Sequence, residues 1–163
     1  MRHVDFKRRC AGVCYGAHKR ATVACPFCVT LNRVDLARLG DRPKCGNCGR
    51  PILVDWPVAV TDATVHAVLA GTAVPVLMDC YADWCGPCKI MAPVLDDFAR
   101  DRQGEVLVVK LDTDRNPATT HRFGIRAIPT LLVFRQGQEV GRQAGVIPRQ
   151  RLEALAGLSA PVT

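Results

Sequence analysis

From about residue 57 onward, short apolar runs alternate with segments whose apolar residues recur every three or four positions. Residues 57–60 predict a strand, and 62–70 a helix with Thr61 or Asp62 as N-cap and Gly71 as its stop. Residues 74–81 are apolar on both faces, the pattern of a buried strand. Residues 89–102 carry Met91, Val94, Leu95 and Phe98 on one stripe, a helix with a kink expected at Pro93. A strand over 106–111 and a short helix over 116–123, closed by Gly124, come next. Residues 130–134 and 138–142 predict a hairpin around Gln136-Gly137, and a helix over 148–158 follows. The alternation implies an α/β fold, a central mixed sheet with helices on both faces.

The first 50 residues lack this pattern. Their large apolar residues are few, and they hold 11 Lys/Arg against three Asp, a charge of +8. Residues 51–163 hold 11 Lys/Arg against 12 acidic residues, so the net +7 belongs to the first third. The expected division is a basic leader over 1–22, a small module over 23–50, a connector over 51–57 punctuated by Trp56-Pro57, and a domain over 58–163. About 105 residues can bury a core of their own, and the first 50 cannot. No stretch approaches about 18 uncharged apolar residues, and no apolar run follows the basic start, so neither a membrane span nor a secretory signal is expected. The expected location is the cytoplasm, where nine cysteines point to metal or redox chemistry.

Two cysteine groups carry that chemistry. Trp84-Cys85-Gly86-Pro87-Cys88 lies between the buried strand and the amphipathic helix, where a C-x-x-C reads as a redox pair. The helix start favours the thiolate of Cys85, leaving Cys88 as the better shielded, resolving thiol. Gly86-Pro87 brings no side-chain donor and removes a backbone one, which argues for a reductant. The bland alternatives are half of a metal site or a core pair. The second group, Cys25-Pro26-Phe27-Cys28 and then Cys45-Gly46-Asn47-Cys48 after 16 intervening residues, has the spacing of a four-thiolate zinc site. Four protein ligands leave no open position, so one structural ion is expected; two disulfides are the competing arrangement. His3, Cys10, Cys14 and His18 are too loosely spaced for another site, and a mobile tail or a misplaced start is the expectation for the leader.

The Trp-Cys-Gly-Pro-Cys motif, with Asp79 six positions before Cys85 and Ile128-Pro129-Thr130 downstream, resembles the thioredoxin family over about residues 57–158. With the four-cysteine module in front, the resemblance narrows to the zinc-containing bacterial thioredoxin 2 family over about 23–158. It implies the thioredoxin fold and a protein-disulfide reductase re-reduced by thioredoxin reductase and NADPH, with oxidised cytosolic proteins as targets. It implies that Asp79 is a buried acid shuttling a proton for Cys88, with Lys110 beside it. It further implies a cis peptide before Pro129 in a loop that meets substrate with Ile128, Gly145 in the substrate groove, and zinc thiolates that oxidants can reach. Where the common pattern has two aromatics after the buried acid, this chain has Cys80 and Tyr81.

Other classes are weaker. A nucleic-acid-binding module would rest on the +8 alone, because few aromatics (Phe6, Tyr15, Phe27) interleave those charges. A zinc-gated holdase would need apolar surface that the module lacks, and Gly86-Pro87 disfavours an oxidase. The expectation is a monomer that binds no organic cofactor, no specific nucleic acid and no membrane.

Overall fold

The computed structural model describes residues 19–158; His3, Cys10, Cys14 and His18 lie outside them. In chain order, β1 (Arg20–Ala24) and β2 (Leu31–Asp35) are followed by a 3-10 turn at Leu39–Asp41 and by β3 (Val58–Ala59). Then come α1 (Val65–Ala70), β4 (Val76–Tyr81), α2 (Gly86–Asp101), β5 (Leu107–Asp112), α3 (Pro117–Arg122), β6 (Thr130–Arg135), β7 (Gln138–Ala144) and α4 (Arg149–Ala156). The strands β1 and β2 pair as an antiparallel hairpin. The other five form one mixed sheet in the order β3-β5-β4-β6-β7, with β3, β5 and β4 parallel and β6 and β7 antiparallel. No described helix is long and apolar enough to cross a membrane.

Because successive strand residues face opposite ways, β4 feeds two cores. Met78 and Cys80 join Val65, Val68 and Leu69 of α1 on one face, while Leu77 joins Met91, Leu95 and Phe98 of α2 and Leu152 of α4 on the other. The expected mixed sheet with helices on both faces is therefore present. Register sets Asp79 of β4 beside Lys110 of β5.

Three features differ from the pattern. The helix expected from Asp62 starts only at Val65, because Asp62 caps a different helix. Its carboxylate accepts the Thr119 amide at 2.8 Å and the Ala118 amide at 3.3 Å, in the first turn of α3, and its own amide donates to Asn116 Oδ1 at 2.8 Å. Helix α2 starts at Gly86, three residues earlier than the expected start at residue 89, and runs on through Pro93. The small module owns no separate core: Ala21, Val23, Val34 and Leu36 pack into one cluster with Ile52, Val54, Val58 and the α1 residues. Ile52 and Val54, in the stretch expected to connect two units, are buried, and β1 begins inside the stretch expected to be leader. A backbone bond completes the docking, the Ala73 amide on Arg20 O at 2.8 Å, and the Leu36 amide extends the hairpin onto Lys19 O at 2.7 Å.

Candidate active site and metal centre

The chain leaves β4 at Tyr81, crosses Ala82 to Trp84, and enters α2 with Cys85 as N-cap. Cys85 Sγ accepts the Cys88 amide at 3.2 Å, so the sulfur takes the place that a Ser or Asp oxygen usually fills at a helix start. Pro87 sits in the first turn, where its missing N–H costs nothing. The two Cα atoms are 5.3 Å apart and the sulfurs are joined as a disulfide. Both residues are nearly covered, Cys85 at 3% and Cys88 at 4% exposure, whereas Trp84 beside them is 70% exposed. The Trp84 indole is fixed by an N–H bond of 2.8 Å to Asp114 Oδ2.

Across from this turn, Ile128 packs against the cluster of Ala82, Cys85 and Cys88. The Ile128–Pro129 peptide is cis, and Pro129 O accepts the Gly145 amide at 2.8 Å. Ile128 thus meets the cysteine pair, and the backbone bond joins Gly145 to Pro129, the chain neighbour of Ile128.

Asp79 lies beneath. It is 6% exposed, and its Oδ1 has no hydrogen-bond partner among the described residues. Burial pushes its carboxyl up from 3.8 to about 7, against the opposing pull of the Lys110 ammonium. That ammonium lies 4.5 Å from the centre of the Tyr81 ring, so the aromatic that follows the acid holds its neighbouring cation. Cys80 points to the opposite face, where burial first and the Asp79 charge second push its thiol up to about 12. Asp79, Cys88, Tyr81, Lys110 and Trp56 border one cleft of about 320 Å³. Two sulfurs that can open and close, one of them sharing a cleft with a carboxyl able to take or give a proton near neutrality, suit thiol–disulfide exchange.

The second cysteine group is a pair of matching turns. The Cys25 amide donates to Thr30 O at 2.9 Å and the Val29 amide to Cys25 O at 2.9 Å; the Cys45 and Gly49 amides repeat both bonds on Arg50 O and Cys45 O at 2.8 and 2.9 Å. Each turn needs a left-handed residue after its second cysteine, and Gly49 supplies it at φ 72° while Val29 is forced to φ 62°. The four sulfurs lie within 4.8 Å of one another, with Cys25–Cys48 and Cys28–Cys45 at 3.6 Å. A tetrahedron with metal–sulfur bonds of about 2.3 Å has edges of about 3.8 Å, so the cluster fits zinc. Its charges ask for a cation too. Hydrogen bonds from Thr30 draw Cys28 down to about 5, whereas Cys48, despite the Arg50 amide, is pushed up to about 11 by desolvation and the neighbouring sulfurs.

Sequence reasoning missed Asn32, whose Oδ1 accepts the Gly46 amide at 2.9 Å and whose Nδ2 donates to Thr30 O at 2.8 Å and reaches Cys45 Sγ at 3.5 Å. It links the two turns, but nothing in its spacing sets it apart from any polar strand residue. Trp56 and Asp114 were likewise invisible, since both reach the site across long stretches of chain.

The comparisons agree with this geometry. The family model described as Thioredoxin matches residues 57–157, and that described as Thioredoxin 2, N-terminal, matches 24–50. Thioredoxin 1 of Synechococcus elongatus is 46% identical over 94 residues, 58% of this chain and 88% of that protein. The thioredoxin of Haemophilus influenzae is 45% identical over 93 residues, 57% and 87% of the two chains. That of Pseudomonas aeruginosa is 44% identical over 97 residues, 60% and 90%. The chain belongs to the thioredoxin family of protein-disulfide reductases, and to the thioredoxin 2 group within it that carries an N-terminal zinc ribbon.

Proposed function

We propose that this chain reduces disulfides of oxidised cytosolic proteins at Cys85 and Cys88, and that thioredoxin reductase restores the dithiol with electrons from NADPH. The observation that carries this reading is the position of the pair, two sulfurs across the first turn of α2, with Cys88 bordering the same cleft as a buried carboxyl whose Oδ1 has no hydrogen-bond partner among the described residues.

The dithiol form acts first through Cys85, whose thiolate is favoured by the helix start and by the Cys88 amide. It attacks one sulfur of the target disulfide; a bond to Cys85 forms, the target S–S bond breaks, and the departing target sulfur takes a proton. Cys88 then passes its proton to the Asp79 carboxylate and attacks Cys85 Sγ. The mixed disulfide breaks, the second target sulfur leaves and is protonated, and Cys85–Cys88 closes. Two electrons have moved from the pair to the target. Ile128, Pro129 and Gly145 wall the groove for the target chain, and Trp84 flanks it. Gly86 and Pro87 keep donors near the thiolate few, while Lys110 tempers the charge on Asp79.

Cys25, Cys28, Cys45 and Cys48 would hold one zinc ion, which supplies a structural cross-link; four protein ligands leave no position for a substrate. In this reading the protein is a cytoplasmic monomer with no organic cofactor of its own and no nucleic-acid or membrane partner. Incubation of Cys88→Ser with a disulfide-bonded protein tests the order of attack. A mixed disulfide mapped by mass spectrometry to Cys85, and absent from Cys85→Ser, is expected. An adduct on any other cysteine of Cys88→Ser would contradict the assignment.

A further inference from the structure

Trp56 falls between the two matched segments and belongs to the stretch expected only to connect. It nevertheless lines the cleft of about 320 Å³ that Asp79 and Cys88 also line. Trp56 is 45% exposed and its ring lies under the Arg100 guanidinium of α2, 5.1 Å from the ring centre, so the indole stands at the solvent side of the cleft and is held there from α2. Asp79 Oδ1, buried and without a partner among the described residues, borders the same space. The other charged or titratable groups that line the cleft are Lys110 of β5, Tyr81 of β4, Asp83 of the following loop, and Cys88, Lys89 and Asp96 of α2.

We propose that Trp56 is a positioning residue for the exchange reaction: its indole limits the water that reaches Asp79 and thereby governs how readily that carboxyl trades a proton with Cys88. The proposal rests on the reading of Asp79 as the proton carrier. The physical argument is that a carboxyl whose charged form is disfavoured by burial responds to whatever walls it off from water. Only Lys110 opposes that burial to a resolved extent, so solvent access is the dominant variable. In this chain the solvent-side wall includes a residue from outside the domain that carries the cysteines.

The test uses the full chain with Trp56→Ala and Trp56→Phe. Carbon-13 shifts of the Asp79 carboxyl are followed against pH, together with the pH profile of reduction of a disulfide-bonded protein. Trp56→Ala is expected to move the Asp79 midpoint down from about 7 by roughly half a unit or more, with the pH profile following, while Trp56→Phe keeps the wall and both readings. Should Trp56→Ala not fold, Trp56→Leu, apolar but smaller, carries the same reading. An unmoved midpoint in a folded small-residue variant would overturn the role of Trp56. A midpoint that moves while the pH profile stays put would overturn the proton-carrier reading, and this proposal with it.

Discussion

At the scale of single residues, Asp79 makes the sharpest physical statement. Its carboxyl titrates at about 7 in the folded protein because burial penalises the charge, against 3.8 for an ordinary aspartate. The fold therefore binds this proton more tightly than the unfolded chain does. The stability this contributes is fully present below the ordinary value and is lost as pH rises through about 7. Above that, the ionised group costs the fold on the order of 4 kcal/mol, an upper figure set by the size of the shift. Asp79→Asn should accordingly be more stable than the parent at pH 8 by a few kcal/mol in urea unfolding, with the gain vanishing toward pH 4, and it should slow disulfide reduction. A variant no more stable at pH 8 would show that the carboxyl is not buried as described. The cysteine pair and Asp79 were legible in the sequence because their spacing is local: a strand, a short loop and the first turn of a helix. Asn32 and Trp56 were not, because each acts through a contact that only the folded chain creates.

At the scale of elements, the apolar pattern located every strand and helix after residue 57, but it misplaced the starts of α1 and α2, the first for an electrostatic reason. Asp62 looks like the cap of its own helix, yet its oxygens serve the first turn of α3. A side chain able to cap carries no mark of which helix it caps. The β1–β2 hairpin was missed altogether, since its strands are short and much of their length is polar; β2 buries only Val34. What fixes the hairpin is a close approach at Gly71. Thr22 Oγ1 bonds Gly71 O at 3.1 Å, and the Thr22 amide bonds Thr72 Oγ1 at 3.2 Å. A Cβ at position 71 would collide with Thr22 Oγ1 and come within 2.8 Å of Ala67 O. The backbone there, at φ −92°, suits any residue, so the penalty is purely steric. Gly71→Ala should destabilise the protein by about 1–3 kcal/mol in denaturant unfolding. An unchanged midpoint would mean that the hairpin does not seat against α1 in this way.

At the scale of the whole molecule, the division of charge and of cysteines suggests two modules, but it says nothing of how they share an interior. Val23, Val34 and Leu36 belong to the same buried cluster as Val58, Val65 and Leu69, so the four-cysteine end supports one face of the sheet. Removing zinc with a chelator should shift a single melting transition to lower temperature, with about one equivalent of metal released per chain. Two transitions, one of them unmoved, would instead describe independent units. The central claim concerns what the pair at the start of α2 does. It is tested most directly by NADPH-coupled reduction of a protein disulfide in the presence of thioredoxin reductase, comparing the parent chain with Cys85→Ser. The account predicts steady NADPH consumption by the parent and none above background by the variant. A folded, metal-loaded parent that consumes no NADPH, or a Cys85→Ser variant that turns over at the parent's rate, would contradict it.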